Sequence, residues 1–276
     1  MRAYKGQIFR LPAHLDRLYG SAAYLGLRIP MSKPECGRYL RQSLSASGFK
    51  EAVVRIALFP SKVESDGRRT AVRAASPSVV VQPAQIPPES LYRTGLRVAV
   101  VPTRKFPVGQ IDPRAKFSAR LGSIMAVMEA QLRGADEAIF LDASGAVTES
   151  TASNLGIVKR GVFLASPCWL GLLAGVTWQA LTEIADSLGI PYRETPLTRH
   201  ELYNADEVFL LSTLKEVMPV TTIDGRSIGT GRPGPYAKRL RRAFRELVER
   251  ELRTPISQHH KDTRPPGHKS HSTRIK

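Results

Sequence analysis

Residues 135–154 read ADEAIFLDASGAVTESTASN. The segment AIFLD is an apolar run of strand length, and Ala143-Ser144-Gly145 is turn chemistry. AVTE then resumes an extended run, so the stretch is a β-hairpin that ends on a carboxylate, Glu149. The small residues Ser150-Thr151-Ala152-Ser153 follow, where backbone and a bound ring can approach closely. A strand-end carboxylate is by default an exposed acid, and spacing alone favours that reading of Glu149.

Upstream, TRKFPVGQIDPR (residues 103–114) is rich in Pro and Gly and reads as a linker. Lys116 opens KFSARLGSIMAVMEAQLRG, a helical pattern with Leu121, Ile124, Met125, Met128 and Leu132 on one face, expected to lie in the core. Downstream, NLGIVK and VFLAS flank a turn at Arg160-Gly161 and form a second hairpin. Gly175-Val176-Thr177 starts a helix with Thr177 as candidate N-cap, running through Leu188 to Gly189. Thr198 and Glu201 have capping-box spacing. DEVFLLS is a strand, VMPVTTIDG runs extended into a turn at Asp224-Gly225, and a last amphipathic helix carries Tyr236, Leu240, Phe244, Leu247 and Val248. Its basic run Lys238-Arg239-Leu240-Arg241-Arg242 is expected to be a solvated face.

The first half opens with a helix bearing Leu15, Leu18, Ala22 and Leu25, then a helix from Ser32 with a capping box to Glu35. EAVVRIALF, SVVVQ and GLRVAVV read as strands, and residues 61–74, polar and basic, as a loop. Strands and helices mix without strict βαβ alternation, which points to an α+β fold in two halves.

An amine, an acid and an anion cup recur across residues 116–177. These are what pyridoxal phosphate requires: an imine partner, a partner for its ring nitrogen and a seat for its phosphate. Lysine is the side chain with a primary amine, but its ordinary pKa must fall before it can act as a base at neutral pH. A lysine is a surface charge by default, and Lys116 departs from that through its neighbours alone. Gly175 removes a side chain just before a helix start, where unpaired N–H groups, the helix dipole and the Thr177 hydroxyl favour an anion. Thr177 could equally be a plain cap, and Arg17 a helix surface charge. Ser212 and Thr213 follow a strand and could face site or solvent. The GTGRPG run at 229–234 is a phosphate loop only superficially, since no strand leads directly into it and no Gly-Lys-Ser/Thr ends it.

The chain has 276 residues, 42% hydrophobic and 24% charged, enough for a real core. Its two cysteines, Cys36 and Cys168, make no disulfide framework or zinc pattern, so a reducing, cytoplasmic setting is expected. MRAYKGQIF has no apolar core of a signal peptide, and the longest apolar stretch, near LASPCWLGLLAGV, is too short to span a bilayer. The net charge of +17 invites a nucleic-acid reading, but part of it lies in a tail expected to be disordered. There Arg253, Lys261, Arg264, Lys269, Arg274 and Lys276 are opposed by Asp262 alone.

In this order, HLDRL at 14–18, Lys116 with Arg-Leu following, ADEAIFLDASGAVTESTASN, LLAGVT, ADEVFLLSTLKEVMPV and IDGRSIGTGRPGP resemble the class IV aminotransferases, the fold type IV pyridoxal-phosphate enzymes. That family includes branched-chain and D-amino-acid aminotransferases and aminodeoxychorismate lyase. The resemblance covers nearly everything but the tail. It implies a small N-terminal α/β domain (1–104), a linker (105–115), a larger pseudo-barrel cofactor domain (116–252) and the tail (253–276). Relatives carry about forty further residues ahead of MRAYKGQIF, by analogy; either the start is assigned late, or the small domain is shortened at its front, which would leave a sheet edge unpaired and the pocket open to water.

The resemblance also implies roles. Lys116 would form the internal aldimine and shuttle the proton between Cα and C4′. Glu149 would pair with the pyridine nitrogen. Arg17, Val176, Thr177 and Thr213 would hold the phosphate, Val176 through its backbone N–H. Gly175 and Ser212 flank that seat, and Ser153 and Asn154 lie in the cofactor loop. Three positions depart from the family: Trp178 where arginine is usual, Leu121 where branched-chain enzymes have tyrosine, and Ala119 where asparagine often stands. The leading expectation is amino transfer from an amino acid, possibly branched-chain, to a 2-oxo acid, in a homodimer. The alternatives are a D-amino-acid aminotransferase, the lyase that releases pyruvate and 4-aminobenzoate, or a truncated, non-catalytic binding protein.

Overall fold

The computed structural model describes residues 1–65, 67 and 70–253. The expected disordered tail therefore lies outside the described residues, apart from Arg253, which ends the last helix. Two sheets organise the rest. The smaller has the order β2-β1-β3-β4, formed by β1 (Arg2–Tyr4), β2 (Gln7–Ile8), β3 (Ala52–Ser65) and β4 (Thr70–Pro83). Helices α1 (Leu11–Tyr24) and α2 (Lys33–Ala46) cover one face, burying Leu11, Leu15, Cys36, Leu40 and Leu44 against Ala3, Ala52 and Val54. The capping box of α2 forms as its sequence predicts: Ser32 Oγ accepts from Glu35 N–H, and Glu35 accepts from Ser32 N–H.

The loop expected at 61–74 is largely strand. β3 continues to Ser65 and β4 begins at Thr70, with a register irregularity between Pro60 and Lys62. A bulge lets a strand pass a proline that cannot donate to the ladder, so Pro60 does not end β3.

The larger sheet has nine strands. They are β5 (Leu96–Val100), β6 (Glu137–Leu141), β7 (Val147–Ser150), β8 (Asn154–Lys159), β9 (Val162–Ala165), β10 (Tyr192–Glu194), β11 (Glu207–Ser212), β12 (Glu216–Ile223) and β13 (Arg226–Ser227). The order is β10-β9-β8-β11-β12-β5-β6-β7, with β13 on β12. Residues of β11 alternate between two cores: Val208 and Leu210 join Ile139, Ile157 and Met218 on one face, while Phe209 and Leu211 join Leu181, Leu240 and Phe244 on the other. The second face is covered by α5 (Val176–Ser187) and α7 (Pro235–Arg253), while the short α3 (Glu89–Thr94) packs against β12 and the short α6 (Arg199–Tyr203) precedes β11. β5 sits inside this sheet, so the larger unit takes in residues ahead of the expected linker. The turns at Arg160-Gly161 and Asp224-Gly225 both place two successive residues at positive φ, the geometry of tight hairpins.

Three expectations are corrected. α4 (Leu121–Leu132) starts five residues after Lys116, and its apolar face is not core: Leu121 is 72% exposed and Leu132 89%, with Ile124, Met125 and Met128 also exposed. Only Ala126 and Ala130 of that helix are buried, because its small side chains are the ones that fit against β6. The α5 N-cap is Gly175, not Thr177, which lies inside the first turn. Arg241 is not solvated: its guanidinium lies 3.3 Å from the Tyr92 ring centroid and pairs with Glu89. Nearby, the buried Glu216 joins Arg2 of β1 at 2.9 Å to Arg245 of α7 at 2.9 Å, tying the two sheets together.

Candidate active site

Six segments meet at one end of the larger sheet. β7 brings Glu149 and β8 starts at Asn154, whose register partner Leu211 puts Ser212 and Thr213 at the same end. α5 points its N-terminus there, α1 supplies Arg17, and the stretch before α4 supplies Lys116.

The contacts form one chain. Ser21, one turn beyond Arg17 on α1, accepts the backbone N–H of Lys116 at 2.9 Å. Arg17 Nη1 donates to Ala174 O at 3.1 Å, just ahead of the α5 N-cap. Asn154 Nδ2 donates to Leu173 O at 2.8 Å and lies 3.4 Å from Glu149 Oε2, which also accepts Leu173 N–H at 3.1 Å. Glu149, Ser153, Asn154 and Thr177 are all buried. Glu149 is thus not the exposed strand-end acid that spacing alone favours, and Arg17 is not a plain surface charge.

Lys116 is exposed, yet Arg17, Glu149, Arg120 and Lys105 all lie close enough to act on its charge. Desolvation, and then the Arg17 charge beside it, pull its pKa down to about 8; Glu149 acts the other way. His14 titrates well below its ordinary value, through burial first, with the charges of Arg17 and Lys116 adding to it. It sits 3.4 Å from Arg17 Nη2 as a neutral partner.

The residues fit a phosphate-bearing cofactor on three observations. The α5 N-terminus has no side-chain cap, so its first N–H groups remain for an anion. A Cβ on Gly175 would meet Asn154 Oδ1 at 2.1 Å, so only glycine allows this helix start so close to β8. The Ser153 hydroxyl is buried with no hydrogen-bond partner among the described residues. Ser212, by contrast, uses its hydroxyl oxygen on Lys215 N–H at 3.2 Å, holding the β11–β12 turn. Trp178 is buried at the start of α5 and donates its indole N–H to the Tyr192 hydroxyl at 2.9 Å.

Two neighbours escape a reading of the sequence. Lys105 forms an ion pair with Glu149 Oε1. It lies in the Pro/Gly-rich stretch read as a linker, and nothing in that pattern sets it apart from other lysines of a basic chain. Arg120 reaches Thr151 O at 3.5 Å, from the Arg-Leu pair that follows Lys116; the proximity of that motif to the lysine is the signal that could have found it.

Comparisons with known proteins agree with this geometry. The model of the amino-transferase class IV family matches residues 1–223. The chain is 34% identical to the branched-chain-amino-acid aminotransferase of Pseudomonas aeruginosa, over 87% of this chain and 78% of that protein. It is 31% identical to a D-alanine aminotransferase of Bacillus licheniformis, over 90% and 86%. The crystal structure of a branched-chain aminotransferase from Thermoproteus uzoniensis with norvaline superposes with a TM-score of 0.81, at 36% identity, covering 90% of this chain and 83% of that one.

Proposed function

The chain belongs to the class IV aminotransferases and has their fold, fold type IV, and on that footing we propose that it moves an amino group from a branched-chain amino acid to a 2-oxo acid, with pyridoxal phosphate held by Lys116. The observation that carries this reading is the meeting of Lys116, Arg17 and Glu149 with the uncapped N-terminus of α5. The cofactor, when bound, would supply an aldehyde for an amine and an electron-withdrawing ring for a carbanion at Cα.

The chain's own residues then divide the work. The α5 N–H groups of Val176 and Thr177, the Thr177 hydroxyl, Thr213 and Arg17 would bind the phosphate. Glu149 would accept from the ring nitrogen. Lys105 gives that carboxylate its countercharge, and Leu173 N–H and Asn154 orient it. Ser153, one residue before Asn154, has a buried hydroxyl with no partner among the described residues and would be available to the cofactor. Lys116 would move the proton at the substrate Cα. With a pKa lowered to about 8, more of the amine is neutral near pH 7 than for an ordinary lysine.

A homodimer is part of the proposal. The exposed stripe Leu121, Ile124, Met125, Met128 and Leu132 on α4 is an apolar face of the kind a second copy covers.

The test is a visible spectrum of the protein with pyridoxal phosphate, for native chain and Lys116→Ala, followed by a panel of L- and D-amino acids. A cofactor band lost in Lys116→Ala and bleached by L-branched-chain donors, with keto-acid-dependent amino transfer, is expected. Bleaching by D-alanine alone would move the assignment to the D-amino-acid enzymes. Pyruvate release without amino transfer would move it to the lyase.

A further inference from the structure

Away from the candidate active site lies a second concavity, a groove of about 770 Å³ whose lining includes none of the candidate-site residues. Arg97, Arg104, Arg133, Arg199 and Arg226 line it, all exposed, from five separate segments of the chain. Asp224 is the carboxylate among its lining residues. Both Asp224 oxygens are already used, Oδ1 by Val100 N–H at 2.9 Å and Oδ2 by the Tyr203 hydroxyl at 2.7 Å. Asp136, beside the groove, lies 3.9 Å from Arg97 and spends Oδ2 on the Arg97 backbone N–H at 2.8 Å.

Several of these guanidinium groups are held in place. Arg104 Nη1 donates to Val101 O and Pro102 O, each at 2.8 Å, and Arg133 Nη1 donates to Val100 O at 2.9 Å. Arg226 lies 4.2 Å from the Tyr203 ring centroid. Bonds to backbone carbonyls fix a guanidinium without neutralising it, and a stacked ring does the same. The result is a concentrated positive field over preset N–H donors, the arrangement that selects anions with several oxygens.

We propose that this groove binds a compact polyphosphate anion, with two or three linked phosphoryl groups, at a site separate from the candidate active site. Its size is that of a small-molecule pocket rather than a track for an extended strand. Tyr203 is the aromatic side chain in its lining and is covered by Arg226, so successive bases have no stacking platform. Inorganic triphosphate and a nucleoside triphosphate share the recognised chemistry.

The full chain, loaded with pyridoxal phosphate, is titrated calorimetrically with inorganic triphosphate, ATP, adenosine and a short single-stranded RNA at 150 mM salt. Two double variants are compared: Arg199→Ser with Arg226→Ser in the groove, and Arg38→Ser with Arg41→Ser on α2. The α2 pair removes the same charge from exposed positions elsewhere. Saturable binding of triphosphate, weakened about tenfold or more by the groove pair and less than about twofold by the α2 pair, is expected. ATP binding tighter than inorganic triphosphate would name a nucleotide as occupant, equal binding the phosphate chain alone, and adenosine should not bind. If circular dichroism shows the groove pair misfolded, Arg199→Lys, which keeps charge but not the planar fork, is read instead with an expected weakening. Equal losses in the two pairs, no triphosphate binding at millimolar concentration, or RNA binding tighter than triphosphate would each overturn the proposal.

Discussion

Asn154 Oδ1 stands 2.1 Å from where a Cβ on Gly175 would begin. One glycine thereby allows the start of α5 to close on the loop that follows Glu149. Asn154 cannot swing away cheaply, because it is buried and its amide donates to Leu173 O. Gly175→Ala should therefore displace the helix start or break that bond. We expect a loss of about 1–3 kcal/mol in urea unfolding and cofactor binding weaker by tenfold or more, read by absorbance titration; native affinity would show that the close approach is not needed.

Lys105→Met keeps the side-chain stem and removes the charge beside Glu149. Lys105 is also one of the cations that hold the Lys116 pKa down, so its loss should raise that pKa. The midpoint of the pH profile for cofactor capture should move to higher pH, with slower capture near pH 7. Arg17→Leu should move it further, since Arg17 is the largest of the charge effects on Lys116. An unmoved midpoint in both variants would remove these residues from the account of Lys116.

The depressed pKa has a consequence for stability. Lys116 titrates near 8 in the fold, against 10.5 ordinarily. Between those values the unfolded chain binds more protons, so this group makes stability rise with pH from about 8 to 10.5. Below pH 8 both states are charged, and the fold bears the cost of a partly desolvated ammonium. Cofactor-free Lys116→Met should melt above the native chain at pH 7, with the gap closing above pH 10.5. A gap independent of pH would assign it to packing instead.

The exposed face of α4 makes its own prediction. Leu121→Glu with Met128→Glu puts charge on side chains that are solvent-exposed in the single chain, so the fold of a monomer should tolerate it. Sedimentation should show a dimer for the native chain and a monomer for the variant. A native monomer at micromolar concentration would leave the apolar stripe without the proposed partner.

The turns, caps and final helix were legible because their signals are local. Arg160-Gly161 and Asp224-Gly225 announce tight turns, Ser32 with Glu35 announces a cap, and Leu240 with Phe244 announces a buried stripe; the structure has each. The face of α4 was misread because periodicity says which residues share a face, not what covers it. β3 was cut short at Pro60 because a bulge leaves no mark in composition. Within the site, the family's motif order singled out Lys116 and Glu149, and the structure brings their segments together. Lys105 was missed because its ion pair with Glu149 exists only once β7 and the segment after β5 are folded side by side. His14 opens the HLDRL segment, but its burial against Arg17 is likewise tertiary.

The central claim concerns which amine carries the cofactor. The protein is loaded with pyridoxal phosphate, reduced with borohydride, digested, and the pyridoxyl group is mapped. The account predicts label on Lys116 in the native chain and none at any position in Lys116→Ala. Label on Lys105 or another lysine, or no label at all, would contradict it.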